Sequence, residues 1–136
     1  EALAVNGMKR EAIKNFPDPE FVYRKIIALL LRYVDRFDKN DKFYPAGFNV
    51  KFDLEFLNAF FVKQGDKFFG AFINWHYLDP LPLLYFLEYA GKIKLENYRL
   101  ETVCKHFCIE LKAHEAFEDI NATRAIIQEI KKKFNG

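Results

Sequence analysis

Hydrophobic positions at helical spacing mark the first clear element of the chain. Between residues 19 and 37, apolar side chains recur every three or four positions, and this period predicts one amphipathic helix. The stripe consists of Val22, Ile26, Leu29, Leu30, Tyr33, Val34 and Phe37. Asp18 is suited to cap the N-terminus of this helix and Pro19 to occupy its first position. So wide a stripe predicts packing on a large apolar surface such as a sheet.

Short apolar runs and further amphipathic stretches alternate along the rest of the chain. The runs 43–50 and 72–78 predict two short strands. Helices are predicted at about 53–62, 80–89, 98–107 and 116–134. The inward face predicted for the last helix carries Ile120, Ala122, Thr123, Ile126, Ile127 and Ile130. This order of elements indicates an α/β layered domain whose sheet has too few strands for its helices.

The composition narrows the class of protein. The length predicts a single domain over residues 1–136, and a hydrophobic fraction of 51% with 16 Phe excludes a disordered chain. No apolar run reaches the roughly 18 residues of a membrane-spanning helix, and residues 1–7 lack a secretory pattern. We therefore expect no membrane partner and a cytoplasmic protein in which Cys104 and Cys108 are reduced. With a net charge of +2, nucleic acid would need a local basic surface.

Two acidic positions stand where an α/β sheet would hold a ligand. Asp53 follows the first predicted strand, and ligands of open α/β sheets bind at the carboxyl ends of strands, although Asp is also a common helix cap. With His114 in the loop before the last predicted helix and Asp119 in its first turns, both side chains can face one cleft. A neutral imidazole beside a metal-bound carboxylate can accept a proton from water. Acidic residues at a helix start are, however, favoured by the helix dipole alone.

Together, these segments resemble the second and third motifs of the DEDDh family of 3'-5' exonucleases, of the proofreading-subunit type. The second motif is matched by Asn49, Phe52 and Asp53, and the third by His114-x-Ala-x-x-Asp119 with a following Ala-Thr pair. Other stretches resemble family segments in the same order, namely 1–7, 78–81, 100–104 and 107–111. The resemblance therefore covers essentially the whole chain, and the third motif with its flanks is its most specific part.

The resemblance implies a ribonuclease H-like fold, a mixed sheet flanked by helices, here without its first three strands. It also implies metal-dependent removal of nucleotides from the 3' ends of DNA, with two divalent ions, Mg²⁺ or Mn²⁺. Asp53 and Asp119 would each bind a metal ion and His114 would be the general base. Asn49 and Phe52 would contact the substrate. The family's Asp-x-Glu pair on the first strand has no counterpart here, so we expect little or no activity from this chain alone.

Several alternatives stay open at the level of the sequence. The chain could be a non-catalytic exonuclease-like module that binds a polymerase or nucleic-acid ends, or an enzyme that trims oligoribonucleotides. The expected partners are single-stranded or 3'-ended DNA and a DNA polymerase, and an exposed sheet edge would favour oligomers. Two positions depart from the family. Phe48 replaces a usual His, and Cys108 replaces a helix-ending Gly, which predicts a different turn at Cys108.

Overall fold

Helices dominate the structure, a computed structural model that describes residues 14–111 and 116–134. Within these ranges the α helices are α1 (Pro19–Leu30), α2 (Val50–Lys63), α3 (Pro80–Tyr89), α4 (Leu100–His106) and α5 (Ala116–Phe134). A short 3-10 turn, Phe69–Ala71, lies between α2 and α3. None of the described helices has both the length and the apolar character needed to cross a bilayer.

The predicted α/β, ribonuclease H-like fold class is wrong for the part of the chain that the structure describes, because that part contains no strand. The two predicted strands meet only at isolated parallel bridges, Phe43 with Ile73 and Ala46 with Leu78. The bridge partner lies 30 residues further along the chain at Phe43 but 32 at Ala46, so the register breaks between them. Pro45 also lacks an N–H group. These extended segments therefore form no sheet. The described residues thus contain no exposed sheet edge of the kind from which oligomers were predicted.

Helix α1 ends at Leu30 and not at the predicted Phe37. Beyond Leu30, side chains bond to the backbone: Asp35 Oδ1 accepts from the Phe37 N–H at 2.9 Å. Asp41 Oδ2 accepts from the Asp35 N–H at 2.8 Å. Such local bonds compete with the helical ladder and stop it. Phe37 is 90% exposed, so the predicted apolar stripe does not continue to this residue.

The chain divides into two compact units, and the first contains described residues 14–43 and 55–75. Its core is aromatic: Phe61, Phe69 and Phe72 are almost completely buried. The Phe61 ring meets Phe69 edge-on at 5.0 Å and Tyr23 at 5.3 Å between centroids. The Tyr23 hydroxyl donates to Asp66 Oδ2 at 2.7 Å. Burial, followed by this bond to a carboxylate, raises the pKa of Tyr23.

The second unit contains described residues 44–54, 76–111 and 116–134. Its core lies where α3 and α4 pack against α5. The buried members are Leu84, Leu87, Ile93, Val103, Cys104, Ala122, Ile126 and Ile130. The predicted bounds of α3 and α5 are confirmed, and α3 is capped by Asp79, whose side chain accepts from the Leu81 N–H at 3.0 Å. Ile120, predicted to point inward, is instead 66% exposed.

Helices α2, α3 and α4 end in the same hydrogen-bonded motif. In each, the residue after the C-cap is left-handed, with φ of 83° at Gly65, 67° at Gly91 and 56° at Cys108. At the end of α4, the Ile109 N–H reaches back to the Cys104 carbonyl at 2.8 Å, as in a Schellman motif. The different turn predicted at Cys108 is therefore wrong. Cysteine adopts the conformation that glycine adopts at the other two ends.

Replacing Cys108 with glycine is expected to stabilise the second unit. A side chain in the left-handed region costs about 1 kcal/mol or more, and Cys108→Gly removes that cost. We therefore expect Cys108→Gly to raise the free energy of unfolding in urea by about 1 kcal/mol. Gly91→Ala is the mirror control, because an added Cβ there meets no atom within 4 Å and only backbone strain is introduced. Gly91→Ala should lower the free energy of unfolding by about as much as Cys108→Gly raises it. A Cys108→Gly protein that is less stable than the unchanged chain would contradict the assigned strain at Cys108.

Candidate active site

Asp53 and Asp119 line the same cavity in the second unit, although 66 positions separate them in the sequence. The cavity has a volume of about 800 Å³, which is within the usual range for small-molecule sites of roughly 300–1,000 Å³. One wall is the start of α2, which carries Asp53 in its first turn. Another part of the lining is the N-terminal half of α5, which carries Asp119 in its first turn.

The cavity combines an apolar lining with a few polar groups. Its larger apolar members are Phe48, Val50, Leu78, Leu100, Ile120 and Ile127. Its polar side chains are Asp53, Asp119, Thr123, Arg124 and Gln128. Mostly apolar concavities with few polar groups are typical of sites that bind and orient a small ligand. The lining therefore offers a ligand both acidic side chains, Asp53 and Asp119, and a basic one, Arg124.

The segment that leads into α2 is held in place by short backbone contacts. The Gly47 N–H donates to the Leu78 carbonyl at 3.1 Å, and the Leu78 N–H donates to the Pro45 carbonyl at 2.9 Å. A Cβ on Gly47 would lie 3.0 Å from Val50 Cβ, so a side chain there would displace the start of α2. These contacts position Asp53. Because α2 begins at Val50, Asp53 lies inside its first turn and does not serve as its cap.

Asn49 makes the turn before α2 in an unusual conformation. Its φ is 58°, in the left-handed region that asparagine tolerates better than most residues. Its N–H donates at 3.2 Å to Asp79 Oδ1, the same oxygen that caps α3. Asp79 therefore links the starts of two helices beside the cavity. This explains a structural need for Asn49 that does not depend on substrate.

Asp119 lies close to the buried thiol of α4. Asp119 is half-buried, whereas Asp53 is exposed. Burial raises the pKa of Cys104, and the negative charges of Asp119 and Glu101 raise it further. Burial and the two nearby carboxylates therefore favour the protonated form of the Cys104 thiol. The Thr123 hydroxyl donates to the Asp119 backbone carbonyl at 2.7 Å, which leaves the carboxylate of Asp119 out of that bond.

The two carboxylates have the right chemistry for Mg²⁺ or Mn²⁺ but not the number of a complete protein cage. Hard carboxylate oxygens suit these ions, and Mg²⁺ is commonly held by one or two carboxylates together with substrate phosphates. Among residues 14–111 and 116–134, no group of three His, Cys, Asp or Glu side chains could hold a metal ion. A divalent ion at these two carboxylates would therefore need further ligands, such as the oxygens of a substrate phosphate.

The other predicted site residues fall outside this cavity or outside the described chain. His114, the predicted base, lies outside the described residues. Asn49 and the 66%-exposed Phe52 are near Asp53 in sequence, but neither lines the cavity. Their roles in binding substrate stay predictions.

Sequence reasoning missed Arg124 and Gln128, which place a cation and an amide on the cavity wall. Both follow Asp119 on α5, and Arg124 lies four positions after Ile120, on the same side of the helix. The four-residue spacing from Ile120 could have indicated that Arg124 lies on the cavity side of α5. The prediction that Ile120 points into the core hid this, because it implied that this side of the helix is buried. A guanidinium is well suited to pair with phosphate oxygens.

Comparison with known proteins gives one informative match. No protein-family model and no solved structure matches the chain. The chain is 33% identical over 122 residues to a DNA polymerase III of the PolC type from Halalkalibacterium halodurans. The match covers 89% of this chain but only 7% of the polymerase. The chain is thus similar to a small segment of a DNA polymerase III.

Proposed function

We propose that this chain carries part of a metal-dependent site that removes nucleotides from the 3' ends of DNA. The observation that carries the proposal is the single cavity lined by both Asp53 and Asp119. These are the two carboxylates singled out by resemblance to DEDDh exonucleases. Similarity to a DNA polymerase III supports DNA as the nucleic acid and a polymerase as a partner.

The roles of the residues follow from their chemistry. Two bound divalent ions would supply a water-derived nucleophile and stabilise the leaving 3'-oxygen. Asp53 and Asp119, which line the same cavity, would each hold one of the ions. His114 accepts the proton of the attacking water, as the resemblance implies. Arg124 pairs with a phosphate oxygen, and the apolar walls exclude bulk water from the cavity and strengthen these charged contacts.

A non-catalytic module that binds nucleic-acid ends or a polymerase is the second candidate. The observation in its favour is the lack of a three-ligand metal cluster among the described residues. A chain with two carboxylates could keep the cavity for an end group without cleaving it. The oligoribonucleotide-trimming alternative has less support, because the matched protein is named a DNA polymerase.

Binding of Mn²⁺ to the chain tests the proposal directly. We expect weak binding, with a dissociation constant on the order of 1 mM, because only two carboxylates contribute. Asp53→Asn or Asp119→Asn should each weaken binding about tenfold or more, since each removes a charged ligand. Electron paramagnetic resonance of free Mn²⁺ measures both effects. Circular dichroism checks that the near-isosteric variants keep their helices.

Glu118→Gln is the matched control. Glu118 precedes Asp119 in the first turn of α5 but does not line the cavity. The variant loses the same charge and should bind Mn²⁺ as the unchanged chain does. Equal losses in Glu118→Gln and Asp119→Asn would show nonspecific attraction of the ion to acidic side chains, and the assigned metal ligands would have to be withdrawn.

A further inference from the structure

An exposed aromatic pair joins α3 to the C-terminal end of α5. The rings of Phe86 and Phe134 stack with an interplanar angle of 12° and centroids 6.5 Å apart. Each side chain is 55% exposed. Tyr89, three residues after Phe86 and thus on the same side of α3, is 90% exposed. Aromatic surface therefore faces solvent at this end of the second unit.

The same end of α5 is basic. Its last turn carries Lys131, Lys132 and Lys133. Lys132 is paired with Glu129 at 2.6 Å. The helix dipole accounts for lysines at a C-terminus, but it does not account for half-exposed phenylalanines beside them. Aromatic rings next to lysines are the combination that binds single-stranded nucleic acid, because bases stack on the rings and phosphates pair with the cations.

Helical geometry places Phe134 and Lys131 on the cavity side of α5. Residues seven apart lie on nearly the same side of an α helix. Phe134 follows the cavity residue Ile127 by seven positions, and Lys131 follows the cavity residue Arg124 by seven. At a rise of 1.5 Å per residue, Phe134 lies about 22 Å along the helix from Asp119. The cations and aromatic side chains thus continue the cavity face toward the end of α5.

We propose that Phe86, Phe134 and Lys131 form an aromatic step that binds single-stranded nucleic acid independently of base sequence. One or two bases stack on the phenylalanine rings, and Lys131 pairs with an adjacent phosphate. A single strand whose 3' end enters the cavity would reach the step several nucleotides upstream, because about 22 Å separates Phe134 from Asp119 along α5. This last point, the continuous track, rests on the proposed function; the step itself does not.

Binding of fluorescently labelled oligothymidylate tests the step, with EDTA present so that metal binding makes no contribution. We expect measurable binding of a 12-mer to the full chain at about 50 mM salt, measured by anisotropy. Phe86→Ala and Phe134→Ala should each weaken binding about tenfold, because each removes a stacking surface. Lys131→Ala should reduce the slope of log K against log salt by about 0.7, the effect of one lost phosphate contact.

Exposed residues elsewhere provide matched controls. Phe37→Ala removes a 90%-exposed ring from the first unit, and Lys105→Ala removes a lysine from the last turn of α4. Both variants should bind the 12-mer unchanged. The step is overturned if the chain binds no 12-mer, or if Phe134→Ala and Phe86→Ala bind it as tightly as the controls do. A surface for a protein partner would give that second result.

The metal assay separates failure of the step from failure of the proposed function. Phe134→Ala should keep its affinity for Mn²⁺, whereas Asp119→Asn should lose affinity for Mn²⁺ and, in EDTA, bind the 12-mer no more weakly than the unchanged chain does. If Phe134→Ala loses only binding of the 12-mer and Asp119→Asn loses only binding of Mn²⁺, the aromatic step and the metal site are separate. The track is tested by length, because a 2-mer is too short to span about 22 Å. Equal affinity for the 2-mer and the 12-mer would overturn the track.

Discussion

Under the proposed function, supplying an Asp-x-Glu pair to this chain is expected to give 3'-exonuclease activity about a hundredfold or more above that of the chain alone. The described residues offer two carboxylates at one cavity, and they contain no cluster of three His, Cys, Asp or Glu side chains that could hold a metal ion. Metal ions held in place contribute several kcal/mol to cleavage of a phosphodiester, and a factor of ten in rate corresponds to about 1.4 kcal/mol. The measurement is a time course of shortening of a 5'-labelled single strand in Mg²⁺, with the pair supplied by N-terminal fusion or in trans.

Two controls make the gain specific. The same added segment with its acidic pair changed to Asn-x-Gln should give no gain. In the active fusion, Asp119→Asn should abolish the gain, whereas Glu118→Gln should keep it, since Glu118 does not line the cavity. Activity that never rises above that of the chain alone would count against a nuclease and favour the non-catalytic module.

The helices could be predicted from the sequence better than the connections between them. Helices α3 and α5 have their predicted bounds, because proline starts, an Asp cap and a helical period mark them locally. The prediction of the two strands was wrong for a reason that lies outside the segments themselves. A strand exists only when a partner matches its register, and the register between 43–46 and 73–78 slips by two residues. No local property of either segment reveals that slip.

The candidate site shows the same division. Asp53 and Asp119 could be selected from sequence because a motif resemblance pointed to both. The cavity that they share is tertiary and had no sequence signal of its own. Arg124 and Gln128 were missed because core and cavity residues alternate on α5: Ile126 is buried while its neighbour Ile127 lines the cavity. The replacement of glycine by Cys108 predicted a different turn at the end of α4. The structure shows the same left-handed backbone conformation there as at Gly65 and Gly91, which follow α2 and α3.

Truncation of Ile126 should cause the largest loss of stability in the second unit. The Ile126 side chain has 0% exposure and belongs to the core between α5 and its neighbours. Changing a buried isoleucine to alanine costs about 2–5 kcal/mol, because transfer energy is lost and a cavity remains. We expect Ile126→Ala to lower the free energy of unfolding by about 3 kcal/mol and Tm by roughly 10 °C.

Ile120 tests whether burial, rather than the type of residue, determines that loss. It lies on the same helix but is 66% exposed at the cavity wall, so Ile120→Ala should cost less than about 0.5 kcal/mol. Thermal unfolding followed by circular dichroism compares the two variants. Equal losses would mean that Ile120 is covered in solution, as the hydrophobic period predicts. The cavity face of α5 would then be a buried core surface, and the shared site of Asp53 and Asp119 would lose its opening to substrate.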